Sequence, residues 1–117
     1  MIEIDIRDLK YTVRLFDDNE HDIFDENGEL KLLGQADHVK QEIKIYKNLK
    51  EDTMLRTIKH ELVHCFLRVY LENNNLKDTY NGEDMACFVS AYAEEINNLA
   101  YYVRFNLRNN GFIEEID

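Results

Sequence analysis

Proline and tryptophan are absent from this sequence, and glycine occurs only four times in 117 residues. A chain so poor in backbone breakers favours helices and regular strands over a loop-rich scaffold. Long apolar runs are missing too. No stretch approaches the roughly 18 residues a membrane span needs. The opening Met-Ile-Glu-Ile-Asp-Ile-Arg has neither a basic start nor an apolar core, so no secretory signal is expected. Cysteine is scarce. Cys65 and Cys87 both fall in segments read as helices. Two such thiols are expected as small core residues rather than as a disulfide, which implies a cytoplasmic location. Positive charge is also in short supply, with 14 basic residues against 24 acidic ones and a net charge of −10. Nonspecific nucleic-acid affinity comes from lysine and arginine neutralising phosphates. Neither a nucleic-acid nor a membrane partner is therefore expected, and any regulatory action would run through another protein.

What is present fits one globular domain over residues 1–117, with 44% hydrophobic residues and no internal repeat. The first half reads as short strands. Ile2, Ile4 and Ile6 alternate with polar residues, and Tyr11, Val13 and Leu15 repeat that period of two. Residues 17–29 hold seven acids and the turn pair Asn27-Gly28, which reads as a solvated acidic loop. Leu30 to Leu33 suggests another short strand. Val39, Gln41, Ile43 and Ile45 then face one way, with Lys40, Glu42, Lys44 and Tyr46 on a wet side, as in a strand near a sheet edge. The second half reads as two helices. One follows Glu51 or Asp52 and runs to about Glu72. The other follows an Asn81 N-cap, runs to about Phe105, and carries Met85, Val89, Tyr92, Ile96, Leu99 and Val103 as its apolar stripe. The expected fold is α+β: a small antiparallel or mixed N-terminal sheet packed on the first helix, then a second long helix.

Chemistry concentrates in the first helix, at His60-Glu61-Leu62-Val63-His64. Residues four apart on a helix share a face, one turn apart, so His60 and His64 can grip one metal ion. Glu61 lies about 100° round from His60. It need not be a ligand, yet it can reach a water on the metal. Zinc lowers the pKa of such a water to about 7, and a carboxylate can then take its proton. Leu55, Ile58, Leu62, Phe66 and Val69 form a stripe for the sheet. The histidines, with Leu67 and Leu71, point the other way, so a sheltered groove is expected around them. A third protein ligand is required. Leu67 and Tyr70 stand where the metzincin pattern needs glycine and histidine. No histidine follows His64, so an acid from the second helix is expected.

The His60-Glu61-Leu62-Val63-His64 segment, followed by Glu83-Asp84-Met85-Ala86 at the opening of the next helix, resembles the ImmA/IrrE-like metallopeptidases of bacteria, phages and mobile elements, a minimal gluzincin type. The likeness covers roughly residues 34–100. It implies zinc held by His60, His64 and Glu83, Glu61 as general base, and hydrolysis of a peptide bond in a protein substrate such as a regulator of a mobile element. It also implies that the strand ending Ile43-Lys44-Ile45 is an edge strand able to hold an extended peptide. The chain departs from the family in having Cys87 where Asp or Asn often follows the Ala, and in lacking a later proline.

The helix wheel keeps other ligands open, because Glu83 stands far from the centre of its apolar stripe. Glu94 comes next, then Asp84, Glu95 and Cys87. His38 and Tyr80 are candidates for contacting substrate or stabilising an oxyanion, with Tyr46 and Tyr92 behind them. The alternative function is a non-catalytic, zinc-stabilised interaction domain, in which Cys87 or Glu94 would close a four-ligand site.

Overall fold

The computed structural model describes residues 1–17, 32–73 and 82–109, without the side chains of residues 73 and 82–84. Four strands are followed by two helices: β1 (Ile2–Ile6), β2 (Leu9–Phe16), β3 (Gly34–Asp37), β4 (Glu42–Tyr46), α1 (Glu51–Asn73) and α2 (Gly82–Asn109). The fold is α+β, with a mixed sheet. Leu30 and Asn81 lie outside the described residues, as does most of the acidic segment 17–29. No helix among the described residues is long and apolar enough to cross a membrane.

The alternation of β1 and β2 folds them into an antiparallel hairpin with Ile6 opposite Leu9. Only Arg7 and Asp8 remain for the turn, and both take positive φ, 47° and 72°. Two consecutive positive φ values give the turn that matches the right-handed twist of the strands. Arg7 then reaches α2, where its guanidinium lies 2.9 Å from Glu95 and 4.9 Å from the centre of the Tyr92 ring.

The sheet order is β1-β2-β4-β3. β3 runs back along the outside, and β4 inserts between it and β2, parallel to β2 and antiparallel to β3. This corrects the edge assignment. The strand holding Ile43-Lys44-Ile45 is interior, and among the described residues Gly34–Asp37 takes the edge. Val39 is not part of the strand, since it is 93% exposed in the turn that precedes Glu42. Of the strand expected at Leu30 to Leu33, Leu32 and Leu33 stand just before β3, which begins at Gly34, and the first two residues lie outside the described ones.

One face of the sheet is dry. Ile2, Val13, Ile43 and Ala36 form one row across it, and Leu15, Ile45 and Gly34 the next. α1 covers these rows with Met54, Ile58, Leu62, Cys65, Phe66 and Val69, all buried. Each large apolar side chain withdrawn from water in this way contributes about 1.5–3 kcal/mol.

α2 runs antiparallel to α1. Arg104 and Arg108 meet Glu51 at one end, and Tyr70 stacks on Phe88 at the other. The stripe expected for α2 packs against the core at Met85, Tyr92, Ile96, Leu99 and Val103, and the structure departs from it at Val89. Phe88, Ile96, Ala100, Val103 and Leu107 are buried, while Val89 is 52% exposed. The helix also extends past Phe105 to Asn109.

Candidate metal centre

The two histidines converge. His60 Nε2 and His64 Nε2 stand 3.1 Å apart, with ring centroids 4.8 Å apart and planes at 81°. Two nitrogens each 2.0–2.1 Å from a tetrahedral zinc ion would stand about 3.3 Å apart. The spacing of the pair is thus close to what one ion would ask for. His60, Glu61 and His64 each offer a ligand atom within 4.8 Å of the others, and they are the one such group among the described residues. Two imidazoles and a nearby carboxylate form a donor set that suits zinc.

Burial is distributed otherwise than the sequence suggested. Both histidines are exposed, so the described residues form no sheltered groove over them, while Glu61 is only 5% exposed. The cause is the edge strand, which packs along α1. A Cβ at Gly34 would stand 2.9 Å from Thr57 Cγ2, 3.1 Å from the Lys44 carbonyl oxygen and 3.2 Å from Glu61 Cγ. Only a residue without a side chain lets the backbone come so close. Thr57 is buried at the same contact, and its hydroxyl donates to the Thr53 carbonyl at 2.8 Å. Burial pushes the Glu61 carboxyl above the ordinary carboxylate range, and the charges of His60 and His64 pull the other way.

A cleft of about 310 Å³ opens beside this contact, between Leu32, Leu33 and Gly34 on one side and Arg56, Thr57, His60 and Glu61 on the other. It joins the sheet edge to His60 and Glu61.

The remaining candidates fall in different places. Glu83 lies in the first turn of α2, and its side chain is outside the described residues, as is that of Asp84. Tyr80 is also outside them. Glu94, Glu95 and Cys87 are described and do not join the His60–Glu61–His64 group. Glu95 is paired with Arg7 instead. Tyr46 packs on Phe16, and Tyr92 packs among Phe66, Tyr70 and Phe88. His38 sits in the turn after β3, half-buried, with its Nδ1 3.2 Å from the Tyr11 hydroxyl.

Sequence reasoning missed Gly34 and Tyr11. The signal for Gly34 was a glycine outside any recognised turn. For Tyr11 it was a hydroxyl placed on the apolar side of an alternating strand.

No family model matches the chain, and no curated protein or solved structure matches it.

Proposed function

We propose that this protein is a zinc-dependent peptidase of the ImmA/IrrE-like kind, hydrolysing a peptide bond in a protein substrate such as a regulator of a mobile element. The observation that supports it most is the convergence of His60 and His64 at 3.1 Å beside the buried carboxyl of Glu61. His60 and His64 would hold the ion, and the family resemblance assigns the third position to Glu83. A zinc ion bound there supplies a Lewis acid that brings the pKa of water toward about 7 and polarises a carbonyl.

The chain's own residues account for the rest. Glu61 takes a proton from water as the water oxygen bonds to the carbonyl carbon. It then gives that proton to the amide nitrogen as the carbon–nitrogen bond breaks. At the edge of the described sheet, β3 offers backbone groups to an extended peptide running into the cleft.

Protein purified without a histidine tag is expected to carry close to one zinc per chain by elemental analysis. Glu61→Gln should keep the metal and lose cleavage by about 10²–10⁴-fold, measured on a peptide mixture read by mass spectrometry. A wild-type protein that takes up no zinc would remove this reading. A zinc-loaded protein that cleaves nothing would leave the interaction-domain alternative.

A further inference from the structure

The protein contains six arginines, all among the described residues. Five of them have a carboxylate. Arg7 meets Glu95, Arg14 meets Glu42, Arg68 meets Glu72, and Arg104 and Arg108 share Glu51. Arg56 is the exception, with no acidic partner among the described residues. In a chain with 24 acidic residues and 14 basic ones, an arginine without a carboxylate is the unexpected case.

Arg56 lines the 310 Å³ cleft that also holds His60 and Glu61. It stands four residues before His60 on α1, on the same face. At a rise of about 1.5 Å per residue, the two side chains leave the helix about 6 Å apart along its axis. The neighbouring Lys59 is turned away, with its ammonium 5.1 Å from the centre of the Tyr101 ring of α2. Arg56 therefore gives the cleft its permanent positive charge.

The opposite side of the cleft is apolar. Leu32 and Leu33 keep 39% and 41% of their surface exposed. Leu33 is held in line with β3, because its carbonyl accepts from the Tyr46 amide at 2.9 Å. The edge of the described sheet thus continues into the cleft one residue ahead of Gly34. A peptide paired along that edge would pass between two leucines and a guanidinium without a counter-charge.

That lining is the complement of an apolar side chain and a carboxylate. Arginine grips a carboxylate with two parallel N–H donors. In an extended peptide, residues two apart share a face and stand about 6.6 Å apart, close to the offset between Arg56 and His60.

We infer that the cleft selects peptides with an aspartate or glutamate within about two residues of the cleaved bond, its carboxylate bound by Arg56 and a neighbouring apolar side chain seated on Leu32 and Leu33. This rests on the peptidase reading. The preference cannot come from the overall field, since a net charge of −10 favours basic peptides. It is local to one guanidinium.

The test digests a random decapeptide library with the zinc-loaded protein and reads the cut sites by mass spectrometry. Acidic residues should be enriched about 10-fold beside the cut. Arg56→Gln should abolish that enrichment, Arg56→Lys should keep part of it, and Arg56→Glu should exchange it for lysine and arginine. Zinc content and melting temperature should be the same in all three variants, because Arg56 is exposed. Binding gives a second readout, using zinc-loaded Glu61→Gln and a fluorescein-labelled copy of the most frequently cut decapeptide. Adding Arg56→Gln to the protein should weaken binding about 10-fold, as should glutamine for the acid of the peptide, and the two changes together should cost no more than either. The inference is overturned by cut sites without acidic enrichment, by enrichment that survives Arg56→Gln, or by losses that add in the binding cycle. A wild type that takes no zinc, or one that is loaded and cuts nothing, removes the parent reading as well. Elemental analysis and the uncut library identify that case.

Discussion

Along α1, the flank facing the sheet and the flank carrying the histidines are built by opposite rules. Ile58, Leu62, Phe66 and Val69 are buried and touch two layers of the protein. His60 and His64, interleaved with them at helical spacing, are exposed and touch each other. Glu61 lies where the two flanks meet, on the helix with the histidines but enclosed by β3. Packing fixes the helix and one carboxylate. The two imidazoles are left outside that packing. Stability and chemistry are thereby assigned to different residues of one element.

That division can be broken residue by residue. On the packed flank, Phe66→Ala should cost about 3–5 kcal/mol, since it removes a fully enclosed ring and leaves a cavity; urea unfolding measures it. A smaller cost would mean that α1 and α2 collapse around the gap.

The layer between that flank and the sheet contains two groups that stay neutral, Cys65 of α1 and Tyr11 of β2. Burial raises the Cys65 thiol from 9.0 to about 12 and the Tyr11 hydroxyl from 10.0 to about 12. Between those values the folded chain holds protons that the unfolded chain releases, so stability falls as pH rises. The urea midpoint should be level below about pH 9 and decline steadily toward about pH 12, and Cys65→Ala should flatten the first part of that decline.

At the junction, Gly34→Ala should cost about 1–3 kcal/mol, because its new methyl meets the Thr57 methyl and a backbone oxygen. It should also lower cleavage with zinc content unchanged, since the displaced group nearest the metal pair is Glu61. Equal activity would show that Glu61 does not depend on the strand for its position.

The histidine flank should show the smallest effect without metal. His60→Ala and His64→Ala should alter metal-free stability by less than about 0.5 kcal/mol, as exposed positions do. Zinc at a hundred times its dissociation constant should stabilise the wild type by about 2.7 kcal/mol, and thermal melts of either variant should lose that gain.

Much of this was legible in the sequence because it is periodic. The alternation in β1 and β2, the α1 stripe and the His60–His64 spacing all repeat at the interval their structure imposes. The edge strand was not legible. Gly34-Gln35-Ala36-Asp37 has no large apolar residue, and it becomes a strand by pairing with β4 rather than by its own propensity. Missing it displaced the edge onto β4 and hid what buries Glu61. The stripe of α2 was legible except at Val89, but Phe88, Ala100 and Leu107 were left out of it. Ala100 is small enough to be overlooked, yet it is fully buried where the helix crosses its neighbours.

The inserted position of β4 bears on how the chain reaches its native state. β1–β2 and β3–β4 are each local hairpins, whereas the seam between them sets Thr12 against Glu42 and Val13 against Ile43, thirty positions along the chain. Closing a distant pair carries an entropic penalty that neighbouring pairs avoid. The two ribbons are therefore expected to form before the parallel seam knits, an order that φ-values at Val13 and Ile43 would check. Until it does, β3 has no anchored sheet to border, and the alignment of Glu61 with the two imidazoles is among the last features of the molecule to mature.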